Sequence, residues 1–94
     1  MGTCIGKVKD RFSIKGRGVV VVTDRMTEDL VGLVNLGDAV EIRSGGATVV
    51  RTVIKDVAAL PGKEGHPFGF LTETGVVKEK VAVGAEVWVE HAAV

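Results

Sequence analysis

Alternation of apolar and polar residues with a period of two recurs along the chain, and it predicts β-strands rather than helices. The clearest case covers residues 8–14, where Val8, Phe12 and Ile14 occupy even positions and every odd position is polar or charged. This pattern is typical of a strand with one buried and one exposed face. We therefore expect Val8, Phe12 and Ile14 to face the core.

Further runs of strand length follow this segment. Residues 19–23 form a continuous β-branched run, which predicts a strand that is covered on both faces. A turn at Gly37-Asp38 precedes a third predicted strand, in which Val40 and Ile42 alternate with charged residues. Each of these segments is short and bounded by turn residues, as in an all-β chain.

The second half of the chain continues the same way. Ser44-Gly45-Gly46 is typical of a tight turn that requires positive φ, and residues 47–57 predict a hairpin partner that is long or bent. Proline and glycine break the periodicity over residues 60–67, which predicts the longest exposed loop. Extended structure is expected again over 68–74, and a last strand is expected around Val87 and Val89.

These elements predict an all-β fold of about six strands. A chain of 94 residues is too short for two cores, so residues 1–94 are expected to form a single domain. Because no helical pattern is present to cover a sheet, we expect a small closed or nearly closed antiparallel β-barrel, which leaves few exposed edges.

Overall composition narrows the function only slightly. Twelve Lys and Arg balance twelve Asp and Glu, so no net charge attracts the protein to nucleic acid or to membranes. The chain has a single cysteine, no run long enough to span a membrane and no recognisable export signal. We therefore expect a cytoplasmic protein that does not bind membranes.

Residues that could support metal binding or catalysis are few. Cys4, His66 and His91 share no spacing typical of metal ligands, and neither histidine has an obvious nucleophile partner. We therefore expect no metal, no cofactor and no catalytic residue, and the protein is not expected to be an enzyme.

Several motifs resemble those of a known family. The segment DRFSIKGRG at residues 10–18, with the β-branched run after it, is similar to the opening of the second, β-barrel domain of translational GTPases of the elongation factor Tu type. The likeness continues in order through VNLGDAVEI at residues 34–42, FGFL at 68–71 and VGAEV at 83–87. It implies a free-standing translation-factor barrel that contacts RNA, a ribosomal surface or a separate protein such as a GTPase.

The chain departs from that family in two respects. No phosphate-binding loop of the form G-x-x-x-x-G-K-[ST] is present, so binding of a nucleoside triphosphate and GTP hydrolysis are not expected. In family members that carry tRNA, a glutamate contacts the terminal adenosine, whereas Ile54 or Lys55 stands at that place here. Carriage of aminoacyl-tRNA in the family's manner is therefore not expected.

The predicted binding residues come from one basic segment and one aromatic side chain. Odd-numbered positions on an extended strand share a face, so the basic residues at odd positions between 7 and 17 should form a stripe. The distance between neighbouring cations in this stripe would be close to that between successive phosphates of a single nucleic-acid strand. Trp88 lies between two glutamates and could stack on a base or contact a protein. Three interpretations remain open: a solvated face, contact with RNA or the ribosome, and a protein interface that includes self-association. The candidate residues are Lys7, Lys9, Arg11, Lys15, Arg17 and Trp88.

Overall fold

The computed structural model describes residues 2–26, 34–58 and 67–90. In these ranges the chain forms seven β-strands and one short 3₁₀ turn, Lys78–Lys80. The prediction of an all-β fold is confirmed, with one strand more than expected. The strands are β1 (Thr3–Ile14), β2 (Gly18–Met26), β3 (Ala39–Ser44), β4 (Ala47–Val53), β5 (Asp56–Ala58), β6 (Pro67–Leu71) and β7 (Glu86–Glu90).

All strand pairs are antiparallel and belong to one sheet with the order β4-β3-β7-β1-β2-β6-β5. The long strand β1 lies at its centre, where residues near its start pair with β7 and residues 8–14 pair with β2. A single strand thus joins the two halves of the sheet.

The sheet is not closed by a hydrogen-bonded ladder among the described residues. Its two edge strands, β4 and β5, nevertheless follow each other in the chain with only Ile54 and Lys55 between them. The amide of Lys55 donates to the carbonyl of Leu71 at 2.9 Å, while the hydroxyl of Thr52 on β4 accepts from the amide of Glu73 at 3.0 Å. The segment predicted as one long or bent strand therefore forms two strands, and the corner between them carries the chain from one edge of the sheet to the other.

The core consists of β-branched and aromatic side chains from one face of the strands. The rings of Phe68 and Phe70 lie 6.0 Å apart, and Phe70 is fully buried. The predicted inward positions on β3 and β7 are confirmed, since all of them are buried. Buried apolar residues include Ile5, Val8, Val19, Val21, Val40, Ile42, Ile54, Val81, Val87 and Val89.

Two predicted turns have the expected form. Gly45 and Gly46 both adopt positive φ, 60° and 84°, and connect β3 to β4 as a hairpin. Asp38 is buried, and its carboxylate accepts from the amide of Asn35 at 2.8 Å, which fixes the entry to β3. The predicted loop over residues 60–67 lies outside the described residues, except for Pro67, which begins β6.

Strand β2 is less covered than its sequence predicts. Val19, Val21 and Thr23 are buried, whereas Val20 and Val22 on the other face are only half-buried. Among the described residues no helix is long and apolar enough to cross a membrane.

Candidate binding surfaces

A β-bulge at Lys9 divides strand β1 into two parts whose side chains alternate in opposite phase. Val8 pairs with Thr23, but Asp10 already pairs with Val22, so two residues of β1 advance the register by one on β2. An extra residue in one strand exchanges the faces of every position after it. The common face predicted for the odd-numbered basic residues therefore does not exist.

The bulge also reverses the expectation for the apolar residues of β1. Phe12 pairs with Val20 on the outer face of the sheet and is 52 % exposed, and Ile14 is 40 % exposed. Only Val8, which precedes the bulge, is buried as predicted. The prediction that Phe12 and Ile14 face the core is wrong.

Lys7 and Lys9 are both exposed, but their surroundings differ. Lys7 lies opposite Glu86 of β7, and its backbone amide donates to the carboxylate of Asp24 at 2.9 Å. Lys9 is the bulged residue. No ion pair of either lysine is present within the described ranges.

Arg11 points away from the outer face. It pairs with Val21, which is fully buried, so the two side chains share the inner face of the sheet. Arg11 is half-buried, and its Nε is buried without a hydrogen-bond partner in the described part of the chain. A guanidinium in this position cannot belong to a solvent-facing stripe with Lys7.

Lys15 and Arg17 lie in the turn that joins β1 to β2. The amide of Arg17 donates to the carbonyl of Ile14 at 3.0 Å, which closes the turn, and both basic side chains are exposed. Arg17 also lines a shallow groove of about 140 Å³ on the outer face, together with Ile14, Val20, Asp56, Val57 and Leu71.

Trp88 lies on the outer face of β7 and is half-buried. The guanidinium of Arg43 covers its ring at 4.4 Å from the centroid, and its Nε1 donates to Glu86 at 3.3 Å. One face of the indole is thus already occupied by a cation of the same chain, which leaves less of the ring for a base than the sequence suggested.

Glu41 organises the charges beside Trp88. Its carboxylate accepts from the hydroxyl of Thr48 at 2.8 Å and from Arg43 at 3.1 Å, and it faces Arg51 at 3.9 Å. The hydrogen bond from Thr48, followed by that from Arg43, lowers the pKa of Glu41 below its ordinary value. An open cavity of about 400 Å³ lies beside this cluster, and its charged lining consists of Glu41 and Arg43 of β3, Arg51 of β4 and Glu90 of β7.

A surface that the sequence did not predict lies on the outer face of β1, β2 and β6. Phe12 pairs with Val20, and Val20 pairs with Leu71, so three apolar side chains form one row across adjacent strands. Ile14 extends the row toward the turn. We call Phe12, Ile14, Val20 and Leu71 the outer apolar patch, in which Phe12 and Ile14 are exposed, Val20 is half-buried and Leu71 is buried. The sequence carries no direct signal for this patch, because residues 19–23 are uniformly β-branched and neither glycine nor proline marks the bulge in β1.

Cys4, His66 and His91 are the residues considered above for metal binding. Cys4 is half-buried and its thiol donates weakly to the carbonyl of Gly6 at 3.7 Å. Among the residues that the structure describes, no three His, Cys, Asp or Glu side chains cluster in a way that could hold a metal ion. His66 and His91 lie outside the described residues.

Comparison with known proteins returns no match, neither to a protein-family model nor to a curated protein nor to a solved structure.

Proposed function

We propose that this protein is a non-catalytic binding module that docks on a protein partner through the outer apolar patch. The observation that carries the proposal is the exposure of Phe12, which is 52 % exposed beside the half-buried Val20 and the exposed Ile14. Contiguous apolar side chains on a solvent-facing surface are typical of interaction sites, and aromatic residues are enriched in their centres. Arg17 at the rim of the patch adds a cation whose planar shape suits a carboxylate or a loop carbonyl.

The proposed module is a nearly closed barrel of the translation-factor type. Two observations support this: the edge strands β4 and β5 are consecutive in the chain, and the amide of Glu73, just after β6, donates to the hydroxyl of Thr52 on β4. The motif likeness over residues 10–18 and 34–42 points the same way. An experimental structure in which the edges of β4 and β5 diverge to opposite sides would contradict the barrel.

Affinity capture from the native cell tests the docking proposal. The wild-type protein is expected to retain a stoichiometric protein partner after nuclease treatment and at high salt, because apolar contacts do not depend on phosphate or screening. The Phe12→Ser variant is expected to lose that partner. Val49→Ser is the matched control, since Val49 is 41 % exposed on β4, away from the patch. Equal capture by wild type and Phe12→Ser would refute the proposal.

Contact with RNA or a ribosomal surface is the second candidate function. It is favoured by four exposed cations, none of which has an ion-pair partner among the described residues: Lys7, Lys9, Lys15 and Arg17. Lys7 and Lys9 adjoin the bulge of β1, and Lys15 and Arg17 lie in the turn at its end, so one RNA strand would contact them as two separate pairs.

Titration with single-stranded RNA at two salt concentrations tests this candidate. Replacing Lys7 and Lys9 together by Glu is expected to remove binding at low salt and to reduce the salt slope by about 2, roughly one for each phosphate contact. Lys80→Glu, at an exposed position in the 3₁₀ turn, is the control for the change in charge. Absence of binding by the wild type at low salt would remove the candidate.

A further inference from the structure

The groove beside the outer apolar patch carries one charge of each sign. Arg17 lies at its turn end and Asp56 at the end formed by the edge strand β5, with Ile14, Val20 and Leu71 between them. Among the described residues neither charged side chain forms an ion pair. One carboxylate oxygen of Asp56 accepts from the amide of Val57 at 2.8 Å, which holds the side chain at the groove.

A continuous row of four paired residues fixes the geometry of this surface. Phe12, Val20, Leu71 and Asp56 pair in sequence across β1, β2, β6 and β5. Paired residues in antiparallel strands lie about 5 Å apart on the same face. The row therefore runs from an apolar end to an acidic end, and Arg17 lies near the apolar end beside Ile14.

We propose that a second copy of this chain occupies the surface and that the two copies are related by a two-fold axis through the outer apolar patch. A two-fold contact places the same surface on both partners, so each residue of one copy meets the complementary residue of the other. Arg17 of one copy then lies against Asp56 of its partner, and the reverse pair forms at the same time. The exposed Ile14 and the half-buried Val20 lie between the two charged ends of the groove and so meet near the axis, where burial of their surface contributes favourable free energy.

Overall charge favours the same occupant. The chain carries twelve basic and twelve acidic side chains, so two copies approach without long-range repulsion. A partner with a strong net charge would pair with only one of the two groove ends. The groove's one cation and one anion match a surface that carries one of each, which the protein itself supplies.

Charge exchange between two variants tests this inference, which rests on the proposed protein-docking function. Sedimentation velocity over a concentration series is expected to show the wild-type chain in monomer–dimer equilibrium. Arg17→Asp and Asp56→Arg are each expected to weaken the dimer by about tenfold or more, because each places two like-charged pairs in the interface. An equimolar mixture of the two variants restores both opposite-charge pairs and is expected to regain the dimer, as is the double variant.

The possible results distinguish the proposed self-association from the proposed docking on a protein partner. A wild-type chain that remains monomeric at all concentrations overturns the inference, and so does a mixture that fails to recover the dimer while both variants keep the wild-type circular dichroism and melting curve. If the chain is monomeric but Phe12→Ser abolishes capture of a different protein, the docking function stands and the second copy is the wrong occupant. If Phe12→Ser affects neither dimer nor capture, both proposals fail.

Discussion

The guanidinium of Arg43 lies over the indole of Trp88, with 4.4 Å between Cζ and the ring centroid. The two residues belong to neighbouring strands, β3 and β7, and the same Arg43 also donates to Glu41 from Nε and from a terminal nitrogen, each at 3.1 Å. Because Arg43 contacts both Glu41 and the indole, it fixes the position of the aromatic ring. Trp88 is therefore packed against Arg43 on the outer face of β3 and β7, and this side of its ring is not free to stack on a ligand.

Removal of Arg43 is therefore expected to change the environment of Trp88. Arg43→Ala should shift the fluorescence of the only tryptophan toward the red, because water replaces the guanidinium on its face. A double-mutant cycle with Trp88→Leu should give a coupling free energy of about 0.5–1 kcal/mol from chemical denaturation. Thr48→Val, which removes a neighbouring hydroxyl but not the cation, should leave the spectrum unchanged. An unaltered spectrum in Arg43→Ala would contradict the stacked geometry.

The lowered pKa of Glu41 predicts a pH dependence of stability. Its carboxylate gains hydrogen bonds from Thr48 and Arg43 only in the folded state, so the folded pKa is below the unfolded one. The resulting stabilisation is present above the unfolded value of about 4.3 and is lost as the pH falls through the folded pKa. Wild type and Glu41→Gln should therefore become more similar in free energy of unfolding in acid.

Carboxyl NMR titration measures the same effect at the residue. Glu41 should titrate below the ordinary value of a glutamate, and Thr48→Val should raise its pKa because the first of its hydrogen bonds is removed. A midpoint for Glu41 at its ordinary value would show that the hydrogen bonds from Thr48 and Arg43 do not persist in solution.

The two phenylalanines Phe12 and Phe70 are expected to differ strongly in their effect on stability. Phe70 is fully buried, so Phe70→Ala should cost about 3–5 kcal/mol of unfolding free energy. Phe12 is 52 % exposed, so Phe12→Ala should cost less than about 1 kcal/mol. Denaturant titration of both variants checks the register of β1 directly, and equal losses would mean that Phe12 faces the core after all.

Gly18 is expected to tolerate no side chain. Its φ is 125°, and a β-carbon there would lie 2.8 Å from the carbonyl oxygens of Thr72 and Glu73. Gly18→Ala should therefore cost more than the roughly 1–2 kcal/mol of a left-handed backbone alone. Gly16→Ala is the matched control, since Gly16 also has positive φ, 77°, but no atom within 4 Å of the added carbon. In thermal unfolding, the melting temperature of Gly18→Ala should be well below that of Gly16→Ala.

Thr52 is expected to be important because its hydroxyl connects β4 to the residue that follows Thr72. Thr52→Val leaves the amide of Glu73 without its partner at 3.0 Å, which should cost about 1–3 kcal/mol. Thr52→Ser keeps the hydroxyl and should retain protection of that amide. Amide hydrogen exchange at Glu73 should accelerate in the valine variant alone, and slow exchange in both would assign the protection to another contact.

Sequence pattern predicted the parts of the fold that depend on local chemistry. The turn at Gly45 and Gly46 follows from their tolerance of positive φ, and the burial of Val40 and Ile42 follows from uninterrupted alternation. In these segments the alternation along the chain is uninterrupted, so odd or even position alone predicted which side chains are buried.

The binding surface was harder to predict because it depends on pairing between distant segments. The bulge at Lys9 is not marked by glycine or proline, and it becomes visible only in the register with β2. It moved Phe12 outward and Arg11 inward, which reversed both the predicted core and the predicted stripe. The contact between Arg43 and Trp88 has the same origin, since strands far apart in the chain bring the two residues together.

The corner at Ile54 and Lys55 constrains how the molecule can come apart. The amide and carbonyl of Ile54 bond to Asp38 and Gly37, at 3.0 and 2.8 Å, while Lys55 bonds to Leu71 at 2.9 Å. Peeling either outermost strand away would pull this corner out of contact with both halves of the sheet. Opening of either edge strand, β4 or β5, should therefore destabilise the other. Hydrogen exchange is expected to report one cooperative opening rather than stepwise loss of strands.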